Sequence, residues 1–249
     1  MTSILHIVKR KISKLGVSPI HVFVFHHVSD VRDPRLCAEQ DWTQTGIFYN
    51  NLSVLQKKYI FISLQTAYQI IKEGRTFRKN YAVLTTDDGL RTVPFVLPWL
   101  EEHRIPLTCF VNAKYLDGHS YKECDRIRIE KEDPDADINS IIKEQYMDYN
   151  LLFSLDSPML SVASHGYEHL YSTSLSEIEF ICDVKNCNSI LSKHPRYIPF
   201  FAYPWGKHNP KTDTILNSLG LIPVLADGLV NYSDASFIHR ECIDNIVLR

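Results

Sequence analysis

Two short runs of residues carry side chains that could do chemistry. The first is Thr85-Thr86-Asp87-Asp88-Gly89, in which an apolar stretch ends in adjacent carboxylates and a turn glycine. Adjacent carboxylates repel and are costly to desolvate, so they call for water or a bound cation. One of them can ligate a metal while its neighbour serves as a base. Taken alone, the tripeptide reads better as a solvated turn. The second run is His165-Gly166-Tyr167-Glu168-His169, again following an apolar stretch. Histidines four apart can face one point if a helical turn begins there, although many such pairs are coincidental. Two imidazoles and one carboxylate, each at the end of a parallel strand, would make a facial set of three ligands. Such a set leaves positions open for water, which hydrolytic metal catalysis requires.

The elements that must position these groups alternate along the chain. Short β-branched and aromatic runs at 21–27, 60–64, 81–86, 106–112, 161–164, 200–203 and 222–226 predict seven strands. Helical spacing predicts helices at 47–59, 65–73, 93–103, 175–193 and 210–219. Pro94 suits a first turn, Ser174 or Ser176 an N-cap, and Gly74 and Gly220 the helix ends. Repeated strand–helix units of this size indicate α/β architecture with a parallel sheet, either a barrel or a doubly wound sheet. Residues 118–150 break the rhythm. They are rich in charge, contain Asp133-Pro134-Asp135, and read as an insertion over the sheet end with a helix at 138–149. The whole of 1–249 reads as one domain.

Composition narrows the function classes. The 27 basic and 29 acidic side chains nearly cancel, so there is no electrostatic reason to expect a nucleic-acid partner. Six cysteines are scattered without a C-x-x-C pair. That argues against a zinc ribbon or finger and suits a reducing, cytoplasmic compartment, with Cys109 as a buried thiol. Residues 1–15 mix apolar and basic side chains and lack the uninterrupted apolar core of a signal peptide. They read as an amphipathic surface helix, with peripheral contact to an anionic membrane as the other reading. No stretch approaches about 18 apolar residues, the length of a transmembrane span. His103, His119, His194 and His208 read as surface residues, and Trp42 and Trp99 as packing residues. Tyr167 is open between pocket and core.

The order of the motifs resembles the polysaccharide deacetylase family, the NodB-like carbohydrate esterases of type four. The family's first motif is T-F-D-D-G, matched by 85–89, and its second is H-S/T-x-x-H, matched by 165–169. Its third is F-R-P-P-Y-G in one branch and F-A-Y-P-Y-G in another, which includes the poly-N-acetylglucosamine deacetylases. Phe201-Ala202-Tyr203-Pro204-Trp205-Gly206 is similar to the second. The resemblance runs from about His21 to Arg240 and implies a distorted (β/α) barrel of about seven parallel strands with its site at their carboxyl ends. It implies a metal-dependent hydrolase that removes N-acetyl groups from a sugar in a glycan or glycan precursor. Asp88, His165 and His169 would hold one divalent ion, zinc before cobalt or nickel. Asp87 would be the base on a metal-bound water, and the Trp205 backbone N–H would help hold the oxyanion. The general acid would be His26, at the end of the first strand, with His239 as runner-up.

Three positions depart from the pattern. Gly166 stands for the usual hydroxyl residue, Thr86 for the usual Phe, and Ala202 for an arginine that pairs with the catalytic Asp in the other branch. Arg240 is the expected substitute for that arginine. Trp205 could also stack on a sugar ring. The departures keep open a catalytically inactive carbohydrate-binding relative; a cyclic amidohydrolase of the same superfamily is a further alternative, although such members often lack part of the metal triad, which looks complete here. The sugar and the oligomeric state are not legible.

Overall fold

The computed structural model describes residues 18–74, 79–232 and 236–248. The expected amphipathic helix at 1–15 lies outside them. The strands are β1 (Ile20–Phe25), β2 (His27–Ser29), β3 (Trp42–Gln44), β4 (Ile60–Phe61), β5 (Tyr81–Thr86), β6 (Leu107–Val111), β7 (Leu160–Ser164), β8 (Tyr197–Ala202), β9 (Ile222–Leu225), β10 (Ile238–His239) and β11 (Glu241–Cys242). The helices are α1 (Thr45–Lys58), α2 (Leu64–Lys72), α3 (Thr92–Glu102), α4 (Glu123–Glu132), α5 (Ile138–Gln145), α6 (Tyr149–Ser154), α7 (Glu177–Leu191) and α8 (Pro210–Ser218).

The main sheet is parallel throughout and runs β10-β9-β8-β7-β6-β5-β1-β11, with β4 beside β5. Its two ends are the same piece of chain. Ile238 and His239 pair with β9, Glu241 and Cys242 pair with β1, and Arg240 lies between. The sheet thereby curls into a nearly closed barrel, the distorted (β/α) barrel that the resemblance implies. Buried parallel strands read as near-continuous apolar runs because both faces are covered, and alternate residues separate into two cores. Val22, Val83, Phe110, Ala163, Phe200, Val224 and Ile238 fill the interior together with Leu64, Ala67 and Ile71 of α2. Phe23, Leu84, Val111 and Val162 face outward against α1, α3 and α7.

Register aligns the strand ends. Phe25 lies opposite Thr86, Val111 opposite Ser164, and Ala202 opposite Val224. The residues following β1, β5, β7 and β8 therefore open onto one rim, the end at which barrels of this kind carry their chemistry. Capping residues fix where helices enter: Ser176 and Glu179 form a capping box on α7, and Asn209 with Pro210 starts α8.

The segment after β6 departs from the sequence reading in two ways. Its first half is a helix, α4, where charge suggested a loop. Arg126 pairs with Glu123 and Glu130 at helical spacing, and only Asp125 and Ile129 are buried. The helix read at 138–149 is broken, because Tyr146 leaves it to bridge Leu90 and Met147 N–H donates to the Gly89 carbonyl. The insertion thus clasps the turn that follows the paired aspartates. His194, expected at the surface, is buried, and its ring nitrogens meet the Leu152 carbonyl and the Arg196 N–H. Trp99 packs as expected, between Tyr49 and His103.

Candidate active site

Asp87 and Asp88 leave the end of β5 in different directions. Asp88 has a left-handed backbone (φ 72°), as do His169 (57°) and Trp205 (59°). Three of the five described non-glycine residues in that region therefore lie at this rim. Such conformations cost about 1–3 kcal/mol each and persist where surroundings enforce them. Gly89 must be glycine for two reasons. Its φ is +70°, and a Cβ would meet Val111 Cγ1 at 3.0 Å.

Asp87 is buried and held by Arg240 in a two-pronged pair, with Nη1 at 2.6 Å and Nη2 at 2.8 Å from its oxygens. Burial would raise this carboxyl, but the guanidinium, with the His26 imidazolium adding to it, holds it at about 2. The arginine lies inside the barrel, over the Phe110 ring at 5.0 Å, and also donates to Thr85 Oγ1.

His165 donates Nδ1–H to the Ala202 carbonyl at 2.8 Å, which leaves Nε2 as a lone-pair donor facing the aspartates. Its Nε2 is 3.6 Å from Asp88 Oδ1, and that of His169 is 3.4 Å away. One ligand atom from each of Asp88, His165 and His169 lies within 4.8 Å of the others. Burial keeps both imidazoles neutral, below the usual histidine range; for His169 the neighbouring Lys122 adds to it. Asp88 Oδ1 is buried and accepts no hydrogen bond, and its carboxyl is held well below the usual range. Burial alone would raise it, and the charge of the Lys122 ammonium outweighs that. An ionised oxygen facing two neutral imidazole nitrogens, with only the Lys122 ammonium beside it at 2.6 Å, suits a divalent cation of the zinc, cobalt or nickel class.

The loop between the histidines is braced from outside. Asp183 of α7 accepts from the N–H groups of Tyr167 and Glu168, at 2.9 and 3.0 Å. Asn112 donates to the carbonyls of His165 and Gly166, and Tyr115 to that of Glu168. At Gly166, φ is +76° and a Cβ would meet Asp183 Oδ2 at 2.9 Å. The missing hydroxyl is therefore a consequence of how Asp183 grips this turn. Tyr167 packs against the outer core.

His26, following β1, donates its Nδ1–H to Asp244 Oδ2 at 2.6 Å, and its backbone N–H reaches the other oxygen at 3.0 Å. Burial alone would lower this imidazole. Asp244 outweighs it by charge and hydrogen bond, Asp87 and Asp88 contribute, and the pKa is raised to about 9. His26 lines the same cleft as Asp87, Asp88, His165, His169 and Trp205, with a volume of about 270 Å³. His239 does not: it is paired with Asp227 at 2.7 Å and is absent from the cleft wall. The Trp205 ring is 51% exposed, edge-on to His169 and stacked with Tyr171.

Two residues that partner the site's side chains were not legible in sequence. Asp244 lies in an unremarkable C-terminal stretch. Lys122, at the entry to α4, is 6% exposed and sets its Nζ 2.6 Å from Asp88 Oδ1, outside hydrogen-bond alignment. The rings of Tyr115 and Tyr146 flank its ammonium. Nothing in the local pattern marks either residue, because each meets its partner only through tertiary structure.

A family model described as polysaccharide deacetylase matches residues 74–224. No curated protein matches the sequence. Solved structures with the same fold include IcaB from Ammonifex degensii, at 20% identity over 92% of this chain and 93% of that one, with a TM-score of 0.69. The Streptococcus pyogenes deacetylase PplD, in complex with acetate, has 18% identity over 91% of this chain and 93% of its own, with a TM-score of 0.70. A de-N-acetylase from Aggregatibacter actinomycetemcomitans has 14% identity over 91% and 95%, also with a TM-score of 0.70.

Proposed function

We propose, from the premise that this chain belongs to the polysaccharide deacetylase family, that it is a metal-dependent hydrolase removing N-acetyl groups from an N-acetylated sugar. The observation that carries the reading is geometric: ligand atoms of Asp88, His165 and His169 lie within 4.8 Å of one another, and Asp87 and His26 line the same cleft. Asp87 is held at about 2 and His26 is raised to about 9. Across the neutral range one is an anion and the other a cation, which is how a base and an acid are told apart.

Asp88, His165 and His169 would hold the ion. A divalent cation there supplies Lewis acidity, polarising the acetamide carbonyl and making water easier to deprotonate. Asp87 accepts the proton from the attacking water. Arg240 keeps that carboxylate ionised and fixes both of its oxygens. The Trp205 backbone N–H, carried in a left-handed turn, donates to the oxygen on which charge develops. His26 gives its proton to the departing sugar nitrogen, and Asp244 orients the ring and supports its charge. The products are acetate and a free amine. The family's description, polysaccharide deacetylase, supports a glycan acceptor.

The test is acetate release from N-acetylated oligosaccharides by the zinc- or cobalt-loaded protein. Asp87→Asn is expected to lower kcat by about 10²–10⁴, the range for losing a general base. Full activity in that variant would remove the mechanism, and saccharide binding without acetate release by the wild type would make the protein a binding relative.

A further inference from the structure

We infer that His26, Cys242 and Asp244 form a second cation site in the cleft, one that takes a zinc-class ion and turns the enzyme off. The sheet itself builds the cluster. Val24 lies opposite Cys242 across the β1–β11 pairing, so continuing the register two residues sets His26 opposite Asp244. With side chains alternating along a strand, Cys242 and Asp244 project to the same side. Cys242 Sγ is 3.4 Å from Asp244 Oδ2, and His26 Nδ1 is 2.6 Å from the same oxygen. One ligand atom from each lies within 4.8 Å of the others. His26 and Cys242 both line the cleft, and Cys242 is solvent-exposed, so an ion has a path to it.

Thiolate, imidazole and carboxylate together select zinc or cobalt over magnesium or calcium. Binding takes a proton from the Cys242 thiol and one from His26 Nδ1, and both go to solvent. No redox change is involved. The donor set differs from that of Asp88, His165 and His169, which contains no sulfur. The inhibitory effect rests on His26 being the proton donor proposed above. With Nδ1 bound to an ion, the imidazolium proton that Asp244 supports is replaced, and the neutral ring is a poor acid.

The experiment is a cobalt(II) titration of the metal-free protein followed in the near ultraviolet, with acetate release measured in parallel. Metal filling the nitrogen and oxygen site gives no thiolate-to-cobalt charge-transfer band. Further cobalt is expected to bring that band in as activity falls at least tenfold. Cys242→Ala should lose the band and the inhibition while keeping the activity of the singly loaded enzyme. Cys124→Ala, which removes another cleft thiol, should keep both. In the His165→Ala, His169→Ala double variant the band should appear with the first equivalent. No band at excess cobalt, or a band that persists in Cys242→Ala, would overturn the site. A band that depends on Cys242 but comes without inhibition would keep the site and remove His26 as proton donor, which separates the two failures.

Discussion

The strand that closes the barrel and the insertion between β6 and β7 each bring one cation to one of two adjacent carboxylates, but in different ways. The closing strand delivers Arg240, 1% exposed, whose planar fork meets both oxygens of Asp87. The insertion delivers Lys122, a compact charge on a flexible stem, which meets one oxygen of Asp88 without hydrogen-bond alignment. A guanidinium fork is specific and stays charged, whereas an ammonium on four methylenes can swing aside. Twin aspartates thus acquire distinct tasks from their partners. Asp87 is a fixed anion, and Asp88 is an anion whose present cation can be exchanged for another.

Three experiments press on that distinction. The largest effect is expected at Arg240. Arg240→Ala leaves a buried carboxylate uncompensated, a loss of about 3–5 kcal/mol in stability, to be read from urea unfolding at neutral pH, with acetate release falling as well. Unchanged stability and activity would mean that the fork is dispensable. Lys122→Met should act in the opposite direction. Removing the competing ammonium should tighten metal binding about tenfold, roughly 1.4 kcal/mol, by competition against a chromogenic chelator. Equal or weaker binding would show that Lys122 supports the ion instead of standing in its place. The smallest effect concerns Asp244. In the metal-free wild type the His26 ring should titrate at about 9 by NMR, and in Asp244→Asn it should titrate lower. A raised histidine pKa stabilises the fold below its unfolded value, about 6.5, and that contribution fades as pH rises through 9. The stability gap between wild type and variant should therefore be widest in acid and narrow on the alkaline side. A gap that widens above 9 would contradict the pairing.

The same contrast explains what could be read beforehand. Tyr81–Thr86 and Leu107–Val111 were legible as strands because both of their faces are buried and the apolar run is unbroken. β10 and β11, of two residues each, leave no periodicity to detect, and α4 hides behind its charges. At the rim, Asp87, Asp88, His165 and His169 stood out because each pair is close in sequence at the end of an apolar run. Arg240 was reached only through the resemblance, as a replacement for an arginine missing at Ala202. Asp244 and Lys122 were invisible, since ion pairs between distant segments leave no local trace. Gly166 looked like a defect until Asp183 supplied its reason.

The position of Arg240 at the seam has a consequence for how the molecule is made. A chain leaving the ribosome completes β5 long before it reaches Ile238. Until β10 and β11 add to the sheet edges, Asp87 has no guanidinium beside it, and a barrel shut around it would enclose an uncompensated charge. Closing the barrel and pairing Asp87 are therefore one event. Chains interrupted before that event lack the guanidinium that holds both oxygens of Asp87.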